Sequence, residues 1–213
     1  MRMASTTLKR TIAGVFACAA LAASAGAEAQ SQGKLSDKSV NTLMEYAWQI
    51  LPSKFTTPDG KVIEVDKSKR DGNIVPMENG RDIIRIGYSS AQAQVCELWE
   101  DQQSNYDALM RREVRKKKWT DQQLLYITTL HRMTIHAIAG KLKVEEKEGE
   151  LKVILEPIKP GEVKCSDEQK GKIREAIQAN VAQDAAAAKE AAAAEGKSPP
   201  PAAATPATAP KKK

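Results

Sequence analysis

The chain has 213 residues and a formal net charge of +6, of which residues 1–27 supply +3 and residues 179–213 supply +2. That leaves +1 for the residues between them, so the basic character belongs to the two ends. The compositional argument for a nucleic-acid-binding domain is thereby removed. Neither end can build a hydrophobic core, because one is a short apolar leader and the other is rich in Ala, Pro and Lys. We therefore expect a single folded domain over residues 34–178.

Residues 1–27 have the pattern of a secretory signal peptide. Three basic residues precede an apolar run over residues 11–23, and small residues follow, ending in an Ala-x-Ala site at Ala27. We expect cleavage after Ala27, with Ala29 as the alternative. The apolar run is shorter than the about 20 residues of a membrane-spanning helix, and no later segment reaches that length. The sequence therefore predicts a soluble mature protein that is periplasmic or secreted and has no transmembrane segment.

The chain has three cysteines, Cys18, Cys96 and Cys165. Cys18 lies inside the leader, where the preceding residues loosely resemble a lipoprotein signal, so its lipidation is an alternative to simple cleavage. Cys96 and Cys165 remain after cleavage, and an oxidising compartment favours a disulfide between them over two free thiols. This disulfide would staple the start of the last helix to the middle of a long one.

The first predicted elements are a helix, a hairpin and a loop. The helix starts at Ser36 or Asp37, either of which can cap it, carries apolar residues at helical spacing and stops at Pro52. A Pro-Asp-Gly turn between two short apolar strands predicts a hairpin over residues 54–65. Residues 66–81, which contain several Gly, Pro and Asn, are predicted to form a loop.

Residues 81–118 predict one long helix. Apolar residues recur there at spacings of three and four and form one stripe, with Gln102 as its single polar interruption. Such a stripe suits packing against another helix. Because Gly87 is a poor interior helix residue, a strand over residues 82–88 followed by a shorter helix is the alternative.

A basic run ends this predicted helix. Its members are Arg111, Arg112, Arg115, Lys116, Lys117 and Lys118. One interpretation is an anion-binding patch. The other is a solvated turn between helices, in which the cations also interact favourably with the helix C-terminus.

The next helix is signalled by Thr120, which can act as N-cap of a capping box with Gln123, and by Gly140, a natural stop. Its apolar residues cover roughly half of the circumference on a helical wheel, so we expect this helix to be central. Four residues are predicted to lie on the opposite, polar face: Gln122, Thr129, Arg132 and His136.

The remaining chain predicts a hairpin, a helix and a low-complexity tail. Strands over residues 141–146 and 151–156 form the hairpin, and the helix starts at Ser166 or Asp167. The tail, residues 179–213, contains 15 Ala and five Pro. Its first half can extend a helix by intrinsic propensity, although such a helix has little to bury, and the part after Gly196 is predicted to be disordered.

The chain ends in Lys211, Lys212 and Lys213. One interpretation of the tail is a tether whose terminal lysines touch an envelope polymer or an anionic surface. The other is a solubilising linker without a specific partner, because three screened charges contribute little affinity by themselves.

The two histidines, His131 and His136, are five residues apart, so on a helix they point about 140° from each other and cannot share one metal ion. His131 falls among the apolar residues, which predicts a core histidine with one bonding partner. A role as ligand would need a further residue supplied by the fold. We therefore predict no metal site and no cofactor.

Three carboxylates, Glu97, Glu100 and Asp101, surround Trp99 and could suggest acid and base catalysis. Carboxylates on the outer side of an amphipathic helix are usually solvated, so we predict no catalytic residue among them. The nucleophile elbow, the phosphate-binding glycine loops and the zinc-protease motif are absent from the sequence.

Part of the chain resembles a group of small exported proteins of alphaproteobacteria to which no activity has been assigned. The resemblance is carried by AQVCELW at 93–99, YDALM at 106–110, KWTDQQ at 118–123 and YITTLH at 126–131. It covers residues 91–131, about a fifth of the chain. The lysine-rich turn and the Ala/Pro tail depart from the group. The resemblance implies an exported protein with a helical pair, and it implies no function.

Together these observations predict a mainly α fold: a helical domain with one long helix packed on a central helix, one or two small β-hairpins and a disordered C-terminal tail. The functional hypothesis is an exported periplasmic, non-enzymatic binding or structural module with a flexible basic tail. The alternatives are a periplasmic stress chaperone and an enzyme or metal carrier that uses His131.

Overall fold

The computed structural model describes residues 35–147, 150–159 and 161–195 of the chain. Within these ranges the chain forms six helices and two separate two-stranded antiparallel sheets. The prediction of a mainly helical domain with small hairpins is therefore confirmed.

Several sequence predictions fall outside the described residues. They are the signal peptide with its cleavage site at Ala27, the lipidation of Cys18, and the tail after Gly196 with its three terminal lysines. Among the helices that the structure does describe, none combines the length and the apolar character needed to cross a membrane.

The helices are α1 Asp37–Ile50, α2 Arg70–Asn73, α3 Met77–Val95, α4 Trp99–Arg115, α5 Asp121–Ile138 and α6 Asp167–Glu195. The strands are β1 Lys54–Thr56, β2 Val62–Glu64, β3 Leu142–Lys147 and β4 Glu150–Leu155. β1 pairs with β2, and β3 pairs with β4. Both hairpins and the starts of α1, α5 and α6 lie where the sequence predicts them.

The prediction of one helix over residues 81–118 is wrong, because the chain breaks between α3 and α4. Glu97 adopts a left-handed φ of 59°. Leu98 N donates to Ala93 O at 2.8 Å, and Glu97 N donates to Gln94 O at 3.2 Å. These two bonds form a Schellman motif, the usual way for a helix to end. Glutamate stands at the position that normally holds glycine, so the sequence carries no recognisable stop signal there.

The start of this region also differs from the sequence prediction. The segment 66–81, predicted as a loop, contains the short helix α2 and the first turn of α3, which begins at Met77. Residues 82–88 are helical, so the alternative of a strand over these residues is wrong as well.

Gly87 lies in the interior of α3, where α3 packs against α5. A Cβ atom at this position would lie 2.9 Å from Thr134 Cβ and 3.3 Å from His131 O. His131 O is a backbone atom, so it cannot move away by a side-chain rotation. The glycine is therefore required by the close approach of two helices, in spite of its low helix propensity.

Gly87→Ala is expected to lower the free energy of unfolding by about 2 kcal/mol, because the added methyl group overpacks the α3–α5 contact. Gly171 in α6 is a matched control, since its Cβ position meets no atom within 4 Å. Gly171→Ala is expected to raise the free energy of unfolding by about 0.5–1 kcal/mol through helix propensity alone. Urea denaturation of both variants measures the two effects. A Gly87→Ala protein as stable as the wild type would contradict the close approach.

α5 is the central helix of the domain and packs against both α1 and α3. The predicted capping box is present, with Thr120 Oγ1 accepting from Gln123 N at 3.2 Å and Gln123 Oε1 accepting from Thr120 N at 3.1 Å. The predicted place of Thr129 on the polar face is wrong. Thr129 is buried, and its hydroxyl donates to Leu125 O at 2.9 Å, which satisfies the hydroxyl inside the core.

α6 extends beyond the predicted domain boundary at residue 178 and continues to pack on α4. Asn180 and Asp184 are only 9% and 4% exposed. The alanine-rich helix is therefore attached by polar side chains, and these are not visible in a pattern of apolar residues. The first part of the predicted tail belongs to the folded domain.

α6 runs parallel to α4. The polar pairs that join them advance in the same direction along both helices: Asp101 with Arg174, Asn105 with Asn180, and Arg111 with Asp184. The end of α6 consequently continues past the end of α4, and the side chains at 189–193 are exposed.

Candidate functional site

The predicted disulfide is present between Cys96 and Cys165, with their Cα atoms 5.4 Å apart and a sequence separation of 69. Cys96 is the last residue before the left-handed turn that ends α3, so the disulfide joins the break between α3 and α4 to the start of α6. The predicted attachment to the middle of a long helix is corrected accordingly. A small apolar cluster, which includes Leu98, Ile173 and Ile177, surrounds the disulfide.

The arginines of the basic run bind residues of α6. Arg111 Nε lies 3.0 Å from Asp184 Oδ2, and Arg115 also donates to the Asp184 carboxylate. Arg112 Nη1 donates to Asn180 Oδ1 at 2.8 Å. These three side chains clamp α6 onto α4, so they form neither an open anion-binding patch nor a solvated turn.

Asp184 is the centre of this clamp. Burial raises the pKa of its carboxyl group, but the hydrogen bonds from Arg115 and Arg111 and their positive charges outweigh burial and hold the pKa below its usual value. The carboxylate is therefore charged at neutral pH and keeps both guanidinium groups in place.

The lysines of the run have other surroundings. Lys116 Nζ lies 2.7 Å from Glu113 Oε1, and Glu113 is only 4% exposed. Lys117 adopts a left-handed φ of 50° in the turn that follows α4. The ammonium group of Lys118 lies 4.2 Å from the centroid of the Trp119 ring, a cation–π distance. The six predicted anion-binding residues thus divide between the α4–α6 clamp and the turn before α5.

His131 belongs to a buried polar network that joins four helices. Its Nε2 lies 2.9 Å from Ser90 Oγ. Asn105 Nδ2 donates to Ser90 Oγ at 2.9 Å and to Ile86 O at 3.0 Å, and Asn180 Nδ2 donates to Asn105 Oδ1 at 2.8 Å. The network therefore ties α3, α4, α5 and α6 together. Burial lowers the pKa of His131 to about 4, so the ring is neutral at pH 7.

A serine paired with a histidine is the arrangement of an activated nucleophile and its base. Here Ser90 is 0% exposed and His131 is 3% exposed, so the structure gives a substrate no path to the Ser90 hydroxyl. Asn105 occupies the same hydroxyl with a further hydrogen bond. Within the described ranges every fully buried side-chain polar atom has a hydrogen-bond partner, which is the pattern of a structural network.

The other residues considered for chemistry do not converge on a site. His136 Nδ1 donates to Glu156 O at 2.9 Å and does not meet His131. Glu97 and Glu100 are exposed, and Asp101 accepts from Arg174 at 3.4 Å. In the part of the chain that the structure describes, no group of three or more His, Cys, Asp or Glu side chains is placed to hold a metal ion.

A cleft of about 390 Å³ opens between α1, the connection from α2 to α3, and the start of α5. Six of its lining residues are apolar: Met44, Ile74, Val75, Pro76, Met77 and Trp119. Arg70, Asp71 and Lys118 add charge to its lining. The cleft is open to solvent, its lining combines apolar and polar groups in similar proportion, and its volume lies within the range of small-ligand sites.

Hydrogen bonds fix the walls of this cleft. Trp119 Nε1 donates to Glu113 Oε2 at 2.8 Å, which sets the orientation of the indole ring. Gln123 Nε2 donates to Ile74 O at 3.1 Å and thereby ties the first turn of α5 to the α2–α3 connection. The same glutamine closes the capping box with Thr120. The cleft is thus preformed by contacts within the protein itself.

No pattern of residues in the sequence predicts this cleft. Trp119 stands directly after the basic run, and that neighbourhood of an aromatic side chain and cations is the one signal that could have drawn attention to it. The other walls come from residues far apart along the chain, such as Met44 and Met77, and no local pattern connects them.

No protein-family model, no curated protein and no solved structure matches this chain. Neither the fold nor the cleft is therefore assigned by similarity.

Proposed function

We propose that the protein is an exported, non-enzymatic binding module of the periplasm, and that its ligand site is the cleft beside Trp119. The observation that carries this proposal is the preformed cleft itself. Its indole wall is fixed through Glu113, and its side walls are tied together through Gln123. A site whose walls are already ordered loses little conformational entropy when a ligand binds.

Two features support export. Residues 1–27 have the composition of a signal peptide. The disulfide between Cys96 and Cys165 is of the kind that persists in oxidising compartments and is rare in the cytosol. We further propose that Lys211, Lys212 and Lys213, at the end of a proline-containing tail, keep the module near anionic material of the envelope.

The burial of Ser90 and His131 supports a non-enzymatic role. These two residues form the pair in the described chain that most resembles a catalytic arrangement, and both lie inside the helix-joining network. The cleft, in contrast, is lined by a carboxylate, two cations and apolar groups, and no histidine, cysteine or serine lines it. Its chemistry suits recognition of a ligand.

Native mass spectrometry of the protein purified from its own envelope fraction tests the proposal. We expect a chain cleaved after Ala27, lighter by two hydrogen atoms because of the disulfide, and carrying the added mass of a small ligand. Asn41→Trp places a bulky ring at the exposed rim of the cleft and is expected to remove the added mass. Thr42→Trp, at an exposed position next to it on α1 that does not line the cleft, is the matched control.

Three results would contradict the proposal. A wild-type protein without added mass would argue against a bound small ligand. The same added mass in Asn41→Trp as in Thr42→Trp would place the ligand outside the cleft. An uncleaved chain with free thiols would contradict export independently of the ligand.

A periplasmic stress chaperone is the second candidate, and one observation favours it. His131 lies neutral and buried where α3, α4 and α5 meet, so protonation in acid would loosen the helices and uncover apolar surface. We expect such a protein to suppress the aggregation of a client at about pH 4 and to lack this effect at pH 7. Absence of protection at acid pH would remove this candidate.

A further inference from the structure

The charges around the cleft are not equally available to a ligand. Arg70 is engaged by Glu45, with its Nε and Nη2 atoms 3.1 Å and 3.0 Å from the same carboxylate oxygen. Asp71 Oδ1 lies 3.4 Å from Arg70 Nη1, so this carboxylate already has a cationic partner. Lys118 has no carboxylate partner in the described part of the chain, and its ammonium group lies over the Trp119 ring. The charge left for a ligand is positive.

The same lysine lies beside a flat apolar surface. The N–H group of the Trp119 indole is bound by Glu113, so a ligand can meet only the apolar part of the ring, one face of which is in contact with the Lys118 ammonium group. Pro76 and Met77 also line the cleft and give an apolar surface with a flexible thioether. A planar ring system can pack on these groups while an acidic substituent reaches the Lys118 ammonium group.

We infer that the cleft binds a small organic anion with a flat, aromatic body. This inference rests on the proposed binding function and names the class of ligand. The aromatic body packs against Trp119, Pro76 and Met77, and the anionic group pairs with Lys118. Among the described residues, Lys118 has no ion pair to break when the ligand enters, and its ammonium group gives up only its cation–π contact with Trp119 when it turns to the anionic group.

Two fluorescent probes with the same ring system test the charge requirement. Anilinonaphthalene sulfonate carries a negative charge, and N-phenylnaphthylamine is its neutral counterpart. Each is titrated into the oxidised mature protein at low and high salt, and its emission is recorded. We expect the sulfonate to bind more tightly than the neutral probe, and added salt to weaken the sulfonate alone.

Lys118→Met removes the charge and keeps an apolar stem. It is expected to weaken binding of the sulfonate about fivefold, the effect of losing one exposed ion pair, and to leave the neutral probe unchanged. Lys152→Met is the matched control, because Lys152 is exposed on β4 and does not line the cleft. This variant has the same net charge as Lys118→Met and is expected to bind both probes as the wild type does.

The outcomes separate this inference from the proposed function. Equal binding of the two probes by the wild type, or an unchanged sulfonate affinity in Lys118→Met, overturns the requirement for an anion and leaves a binding cleft. Failure of both probes to bind argues against the cleft as a ligand site altogether. Binding that survives Asn41→Trp overturns the location. Binding that appears only after removal of residues 197–213 assigns the cleft to the chain's own tail and overturns the inference.

Discussion

Replacing both Cys96 and Cys165 with alanine is expected to lower the free energy of unfolding by about 4 kcal/mol. The disulfide closes a loop with a sequence separation of 69, and the chain-entropy model gives a loss of this size when such a loop is opened in the unfolded state. The effect is large for a domain of this size, whose total stability is typically about 5–15 kcal/mol. Urea denaturation of the double variant beside the oxidised wild type measures it.

The location of the disulfide predicts which part of the domain loses most stability when the bond is removed. Ile173 and Ile177 lie in the apolar cluster around Cys96, so the first turns of α6 depend on the bridge. We expect amide hydrogen exchange in α6 to accelerate more than exchange in α5, which lies in the main core. Wild-type protein treated with reductant serves as the control and should reproduce the denaturation midpoint of the double variant. A double variant within about 1 kcal/mol of the wild type would refute the entropic account.

Acid is expected to destabilise the protein by about 3 kcal/mol between pH 6.5 and pH 4 through His131 alone. Burial lowers the pKa of this histidine from 6.5 to about 4 in the folded protein. Between pH 6.5 and pH 4, His131 is therefore protonated in the unfolded chain but remains neutral in the folded protein. The stabilisation is fully present above pH 6.5 and is lost as the pH falls, with a limiting slope of about 1.4 kcal/mol per pH unit.

Asp184 affects the free energy of unfolding in a lower range of pH than His131 does. Burial works to raise the pKa of its carboxyl group, but Arg115 and Arg111 hold it below 3.8. Its contribution is therefore present above pH 3.8 and is lost only as the pH falls further. The effects of the two groups on the free energy of unfolding can be measured separately. The decrease due to His131 is complete near the pH at which the decrease due to Asp184 begins.

Urea denaturation at pH 7, 5.5 and 4.5 measures the effect of His131. The variant His131→Gln removes the titrating ring and is expected to flatten the dependence on pH, whatever its stability at pH 7. His136→Gln is the control, because His136 is only partly buried and should leave most of the wild-type slope. An unchanged slope in His131→Gln would assign the titration to another group.

Local signals in the sequence were sufficient for the elements that begin with a capping side chain. Ser36 and Thr120 each accept a backbone N–H three residues later, and such caps can be recognised from residue type and spacing alone. The break at Glu97 could not be recognised in this way. A non-glycine residue in the left-handed region is held there by the surrounding tertiary structure, which includes the disulfide at the preceding residue.

The extent of α6 and the cleft were hidden for a different reason. Asp184 is followed by four alanines in the sequence, and only its pairing with Arg111 and Arg115 on another helix explains its burial. The cleft likewise depends on groups that are distant in sequence, such as Arg70 and Trp119. Periodicity reports which face of one helix is apolar, but it does not report which two polar surfaces will meet.

The parallel arrangement of α4 and α6 has a mechanical consequence. A pull on the C-terminal end of α6 loads its attachments one after another, beginning with Asp184 and continuing with Asn180. The helix would peel away at low force, because each polar contact breaks separately. Peeling stops at Cys165, where the covalent bridge to Cys96 carries the load. The chain beyond α6 is thus joined to the domain through a helix whose contacts with α4 can break one after another. The bridge sets the limit of this detachment and passes the load to the end of α3.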